Sequence, residues 1–271
     1  MLKIALVGCG AIGSSLAKGI RSKFSESAKL VALFDIDMDK SQALSRLVSG
    51  RTSLAVACLE QAILKADLVI EAASAKVSSD IALRAVDKGR DVMVMSVGGL
   101  VGNMKQLMSG ARKKGCRVYI PSGAISGVDA VKASACGKIK SVILTTRKNP
   151  KAFKGVAFVE KKRINLAKLR QDMVLFNGTA RQAVIHFPQN INVAAVLSLA
   201  GLGVDKTRVR IIASPNLQRN VHEIEVVSDA GRIVTRTENV LHPDNPKTSY
   251  LAVLSAQAAL KQILEPVRIG S

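Results

Sequence analysis

Gly8-Cys9-Gly10-Ala11-Ile12-Gly13 places three glycines at the spacing that a bound dinucleotide requires. Gly8 can take the tight turn leaving a strand, Gly10 lets backbone approach a pyrophosphate with no side chain in the way, and Gly13 lets a helix pack closely on the sheet. The N–H groups of Ala11 and Ile12 would open that helix and point at the anion, with the helix dipole behind them. Asp35, about twenty residues beyond Gly13, is placed to accept hydrogen bonds from an adenosine ribose. A 2′-phosphate there would meet a carboxylate, which favours NAD, although Lys40 and Arg46 are near enough in sequence to admit NADP. Glycines at this spacing also occur in purely structural turns. The strand before them, the helix after them and the acid beyond are what point to a dinucleotide.

A second set of candidates lies in the distal half. In Asn220-Val221-His222-Glu223-Ile224-Glu225-Val226, strand alternation turns His222 to the same side as Ile224 and Val226, and turns Glu223 and Glu225 the other way. The imidazole is therefore either a satisfied core histidine or an acid/base or substrate-orienting group. His186, at a helix end, and His242, in a Pro-rich turn, are weaker candidates. Asn190 either caps a helix or reaches a nicotinamide carboxamide. Lys247 and Thr248, expected to head a final helix, could hold a substrate carboxylate through a cation, a hydroxyl and free N–H groups, though N-capping would use the same residues. No His, Cys and carboxylate combination has metal-ligand spacing.

The elements that must position these groups follow from the apolar pattern. Short apolar runs alternate with helical stretches from Leu2 to Ile120, which predicts a Rossmann-type doubly wound parallel sheet. Ligands in such sheets sit beyond the carboxyl ends of the strands. The small segments found there are Ala72-Ala73-Ser74, Ser96-Val97-Gly98-Gly99 and Pro121-Ser122-Gly123-Ala124, so Ala73, Ser74 and Ala124 are candidate cofactor contacts. From Ser122 onward, period-two alternation predicts a second, α+β domain with one covered sheet face. Strands are expected over residues 52–57 and 155–159, and helices over 123–137 and 190–202. The run from Tyr250 to Leu264 reads as a helix apolar on most sides, hence buried against the first domain. The expected division is 1–121 plus 241–271 for the dinucleotide domain and 122–240 for the substrate and dimerisation domain.

Composition narrows the class. Hydrophobic residues are 48% of the 271 and aromatics only 3%, with no Trp, so the core must be built from Ala, Val, Leu and Ile. The four cysteines show no C-x-x-C pairing, which is expected of reduced thiols in the cytoplasm. No leader-like segment or membrane-length apolar run is visible. The net charge is +20, with basic residues concentrated in Arg112 to Arg117 and again from Lys138 to Arg170, where Glu160 is the only acid. Aromatics do not alternate with those cations and no nucleic-acid-binding motif is visible. Steering of small dianions or a solvated face is therefore expected, rather than nucleic acid.

Taken together, VGCGAIG (7–13), SVGGL (96–100), PSGAISGVDAV (121–131), FPQNINVAAVLSLAGLG (187–203), NVHEIEV (220–226) and NPKTS (245–249) resemble the L-aspartate dehydrogenase family across nearly the whole chain. The resemblance implies oxidation of L-aspartate by NAD or NADP to iminoaspartate, which water converts to oxaloacetate and ammonia or which feeds NAD biosynthesis. It also implies an active-site histidine at His222, cofactor contacts at Ala124 and Asn190, and a homodimer formed through the second domain. The basic segment from Lys148 to Arg170 departs from the family pattern. Competing readings are a dihydrodipicolinate-reductase-like reductase and a nicotinamide-sensing regulator that binds nucleic acid.

Overall fold

Ile4, Ala5, Leu6 and Val7 form an uninterrupted apolar run, and all four are buried, as a strand covered on both faces requires. The computed structural model describes residues 1–50, 52–187, 192–243 and 245–270, apart from the side chains of 245–247. It divides the chain into two units, one of residues 1–121 and 253–269, the other of residues 122–252 and 270–271.

The first unit alternates β1 (Leu2–Val7), α1 (Ala11–Lys23), β2 (Ala28–Phe34), α2 (Met38–Ser49), α3 (Leu59–Lys65), β3 (Leu68–Glu71), α4 (Ser78–Asp87), β4 (Asp91–Val94), α5 (Met104–Lys114) and β5 (Val118–Tyr119). The strands pair in parallel in the order β2-β1-β3-β4-β5, so the doubly wound sheet expected from the alternation is present. The 52–57 stretch is a correction: it contributes only an isolated bridge, Ala55 to Leu33, rather than a strand. Tyr119, at the edge, donates its hydroxyl to Asp91 Oδ2 at 3.3 Å.

The second unit contains α6 (Val128–Ala135), β6 (Ile139–Lys148), α7 (Ala157–Lys161), β7 (Met173–Thr179), α8 (Ala180–His186), α9 (Asn192–Ala200), β8 (Arg208–Ala213), β9 (Asn220–Ser228), β10 (Gly231–Asn239), and the hairpin β11 (Leu241–His242) with β12 (Asn245–Ser249). Its main sheet runs β10-β9-β6-β8-β7, antiparallel except where β6 meets β8. The helix expected over 123–137 is shortened to α6 because Gly127, at φ +79°, sets a left-handed N-cap. The 155–159 stretch forms the start of α7 instead of a strand: Gly155 turns the backbone at φ +78°, and Val159 is buried while Phe158 packs edge-on to Phe176. Those apolar anchors pin the basic segment and leave most of its cations exposed to solvent.

The last helix, α10 (Tyr250–Leu264), carries the chain back to the first unit. Ala256 and Leu260 join a core with Leu16, Ala17 and Ile20 of α1, and Gly19 gives Gln257 room to lie across that helix. Residues 241–252, expected in the first domain, belong to the second unit. Tyr250 N–H donates to Val240 C=O at 2.9 Å and its ring meets His242 edge-on, which holds the hairpin to the end of β10. Nor is α10 buried all round: Tyr250 is 41% exposed and Leu254 39%. Its buried line is Val253, Ala256 and Leu260. Leu260→Ala should cost about 2–5 kcal/mol through the cavity left in the first unit, read as a lowered midpoint in urea.

Candidate functional site

The glycine turn is built by contacts that exclude a side chain. Gly8, at φ +98°, runs so close to the end of β3 that a Cβ would lie 2.5 Å from the carbonyl carbon of Ala72. A Cβ on Gly13 would stand 2.0 Å from Gly8 O, so α1 reaches the sheet only because Gly13 has none. Gly10 differs: a Cβ there would meet nothing within 4 Å, and the space above the turn is open. The first backbone bond of α1 is donated by Ser14 N–H to Gly10 C=O at 2.8 Å, which leaves the N–H groups of Ala11, Ile12 and Gly13 outside the helical ladder. Open space over a glycine, bordered by N–H groups at a helix start with no acidic residue in its first turn, fits a pyrophosphate.

Asp35 ties this turn to β2. Its Oδ2 accepts from Cys9 N–H at 2.7 Å and its Oδ1 from Asp37 N–H at 3.0 Å. Each oxygen keeps lone-pair capacity for a ribose hydroxyl, and the carboxylate also orients the loop, a second task that the sequence did not reveal. Lys40 is paired with Asp37 at 3.1 Å, which occupies one of the two cations near a 2′-phosphate position. Burial, then the charge of Asp35, push the Cys9 thiol up to about 12, so it stays protonated.

Glu71, not anticipated from sequence, is the polar centre of the strand ends. Fully buried at the end of β3, it accepts from Ala73 N–H at 2.8 Å through Oε1 and from Ser96 N–H at 2.9 Å through Oε2. Desolvation raises its pKa, and those backbone donors oppose the rise. One carboxylate thus joins the Ala72-Ala73-Ser74 and Ser96-Val97-Gly98-Gly99 segments. Ser74 C=O caps the turn below by accepting from Val77 and Ser78 N–H at 3.1 and 3.0 Å.

In the second unit, β6 and β9 pair Val142 with Val226, Leu144 with Ile224 and Thr146 with His222 on the covered face. The apolar ladder therefore ends in a polar rung, where Thr146 Oγ1 lies 2.9 Å from His222 Nδ1. His222 is 3% exposed, and desolvation, followed by the charge of Lys148, lowers its pKa to about 3. Lys148 continues the same face two residues beyond Thr146, and burial alone lowers its pKa to about 8. The ends of the flanking strands add two buried atoms without a hydrogen-bond partner among the described residues, Ser214 Oγ after β8 and Asn239 Oδ1 at the end of β10. Asn239 Nδ2 donates to Ala124 C=O at 2.9 Å, which fixes the segment containing that candidate.

The opposite face carries Glu223, bonded to Arg147 and, at 2.6 Å, to Arg236. Asn190 lies outside the described residues, as does the side chain of Lys247. The backbone of Lys247 and Thr248 belongs to β12 rather than to the head of a helix, because α10 begins at Tyr250. His186 stacks on Phe158 with ring centroids 4.4 Å apart, and His242 packs against Tyr250. Among the described residues no group of three or more His, Cys, Asp or Glu gathers as a metal site.

Residues 129–263 match the family described as Aspartate dehydrogenase, C-terminal, and residues 8–121 that described as Homoserine dehydrogenase, NAD binding domain. The chain is 45% identical over 273 residues to the L-aspartate dehydrogenase of Methanosarcina barkeri, with all of both chains covered. The chain belongs to the aspartate dehydrogenase family. A relative named L-aspartate dehydrogenase from Nitrosopumilus maritimus is 38% identical over 274 residues, again across both whole chains. The crystal structure of an aspartate dehydrogenase from Thermotoga maritima superposes with a TM-score of 0.74 over the full length of both chains. At 22% identity that likeness speaks to the fold.

For an aspartate dehydrogenase the cofactor is a nicotinamide dinucleotide, and the glycine turn fits its diphosphate. Asp35→Ala should weaken binding of NADH more than NADPH, because the ribose acceptor is lost while a clash with the 2′-phosphate is relieved. Equal losses in a fluorescence titration would refute the ribose assignment. The lowered pKa of His222 makes a separate prediction about stability. Between pH 6.5 and about 3 the unfolded chain binds a proton that the folded chain refuses, so stability falls towards acid. The slope from this residue approaches about 1.4 kcal/mol per pH unit. Denaturant melts of wild type and His222→Gln at two pH values inside that window should show a shallower slope in the variant.

Proposed function

We propose that this chain oxidises L-aspartate with NAD, NADP being the weaker alternative, and yields iminoaspartate, which water can convert to oxaloacetate and ammonia. The observation that carries this reading is the 45% identity, across the whole of both chains, to a protein named L-aspartate dehydrogenase.

NAD held at the glycine turn supplies the acceptor for the hydrogen and two electrons that leave Cα of the amino acid. Gly8, Gly10, Ala11, Ile12 and Gly13 hold the diphosphate, and Asp35 the adenosine ribose. Glu71 fixes the Ala73-Ser74 and Ser96 segments that border the turn. Aspartate lies at the polar edge of the second sheet. There His222, its Nδ1 held by Thr146, presents Nε2 to the substrate as a neutral imidazole and orients it for reaction. Lys247 and Thr248 take a substrate carboxylate, since a dicarboxylate in a partly dry cleft needs a fixed cation.

We infer that the second unit also pairs two copies of the chain. The outer face of its sheet, with the Arg147-Glu223-Arg236 network and the 60% exposed Val234, supports a self-complementary surface of mixed charge. No helix among the described residues is long and apolar enough to cross a membrane.

A panel of amino acids with NAD, followed by NADH absorbance, should single out L-aspartate. A rate on another substrate exceeding that on aspartate would overturn the reading. His222→Ala should lower kcat by about 10²–10⁴-fold, the usual worth of a positioned acid/base or orienting group, with NADH binding unchanged. An unchanged rate would remove His222 from the mechanism.

A further inference from the structure

We propose that Asn239 is a substrate-binding residue: its Oδ1 accepts a hydrogen bond from the amino nitrogen of the substrate and so selects an amino acid over a plain dicarboxylate. This rests on the aspartate-oxidising reading above and gives the nitrogen of that substrate a partner.

Strand register places the amide. β10 and β9 pair Thr237 with His222 and Asn239 with Asn220, so Asn239 stands diagonal to His222 on the same face, about 7–8 Å away. Asn239 is 2% exposed, and its orientation follows from its one bond. Nδ2 donates to Ala124 C=O at 2.9 Å, and the flipped amide would set two carbonyl oxygens against each other. Oδ1 therefore turns away from that carbonyl, and nothing among the described residues donates to it. A buried acceptor without a donor costs free energy, and a ligand N–H that reaches it removes the cost. Asn220 and Thr237, its neighbours on this face, are half-buried, so the edge stays open to solvent beside the sealed amide. Thr237 Oγ1 in turn bonds Ser126 Oγ at 2.9 Å. Residues 124–126 are thus held to β10 at two points, and removing one leaves the other.

Chemistry then matches the group to the atom. An amino dicarboxylate brings two carboxylates that need donors or cations and one nitrogen that needs an acceptor. That nitrogen keeps at least one N–H as ammonium, as amine and as imine, so a single acceptor serves it throughout. A carboxylate in this place would hold the ammonium charged and oppose the loss of its proton. A neutral amide accepts from each form with far less bias. The acids nearest in the sheet are directed elsewhere: Glu223 and Glu238 lie on the opposite face, where both bond Arg236. Ser214 Oγ, the other buried atom without a partner at these strand ends, is a hydroxyl that can donate as well as accept. Asn239 Oδ1 can only accept.

The test compares wild type with Asn239→Leu and Asn239→Asp. Calorimetry on the NADH-loaded enzyme follows L-aspartate and succinate, which has the same carbon chain and carboxylates and no amine; NADH binding is followed by fluorescence. Asn239→Leu should weaken L-aspartate by about 10–100-fold, the worth of a hydrogen bond to a charged group, while succinate and NADH bind as in wild type. Asn239→Asp keeps an oxygen acceptor and should retain L-aspartate binding. Unchanged L-aspartate binding in Asn239→Leu would overturn the assignment. So would equal losses for L-aspartate and succinate, which would make the amide a scaffold for residues 124–126. Weakened NADH with L-aspartate and succinate retained would overturn it in favour of a contact to the cofactor. A wild type that binds both ligands yet fails to oxidise L-aspartate would strike the functional reading alone, since the difference in binding is read without turnover.

Discussion

Backbone pressed against backbone at Gly8 is the constraint on which the first unit depends. With Ala72 behind it and Gly13 above it, the chain has room for hydrogen and nothing larger at two of its three glycines. The third, Gly10, stands over empty space, so the same motif both closes the turn onto the sheet and leaves the cradle open. Two carboxylates then hold what the glycines shape. Asp35 fastens the turn to β2, and Glu71 fastens the segments after β3 and β4 to each other. A carboxylate buried this deeply would be expensive without its two backbone donors. Its place at the carboxyl ends of the strands is where a doubly wound sheet puts its ligand.

The second unit solves a different problem. An aliphatic ladder between β6 and β9 ends in Thr146 and His222, so the imidazole is aligned by the same register that builds the core. Desolvation leaves this histidine uncharged across the physiological range. A neutral imidazole has one donor and one acceptor nitrogen, and Thr146 engages Nδ1.

Much of this was readable in the chain. The glycine spacing with its flanking strand and helix led to the turn, apolar runs led to the parallel sheet, and alternation around His222 led to its inward face. What was missed shares a cause. Glu71 ends an apolar run and looks like the polar residue that closes a strand, since nothing local says that two distant N–H groups will meet it. Thr146 and His222 are separated by 76 positions, and only strand pairing brings them together. The stretch at 155–159 alternates like a strand, yet a glycine at positive φ and aromatic packing turn it into the start of a helix. In α10 the apolar residues outnumber the places available to bury them, so composition overstated its burial.

The distribution of rings gives the molecule a convenience for the bench. It has no Trp and two Tyr, and these fall one to each unit, Tyr119 on the edge of the parallel sheet and Tyr250 beside the hairpin of the mixed one. Ultraviolet emission therefore arises from a single phenol in each half, and replacing either with Phe makes the remaining signal a native, label-free reporter of one half alone.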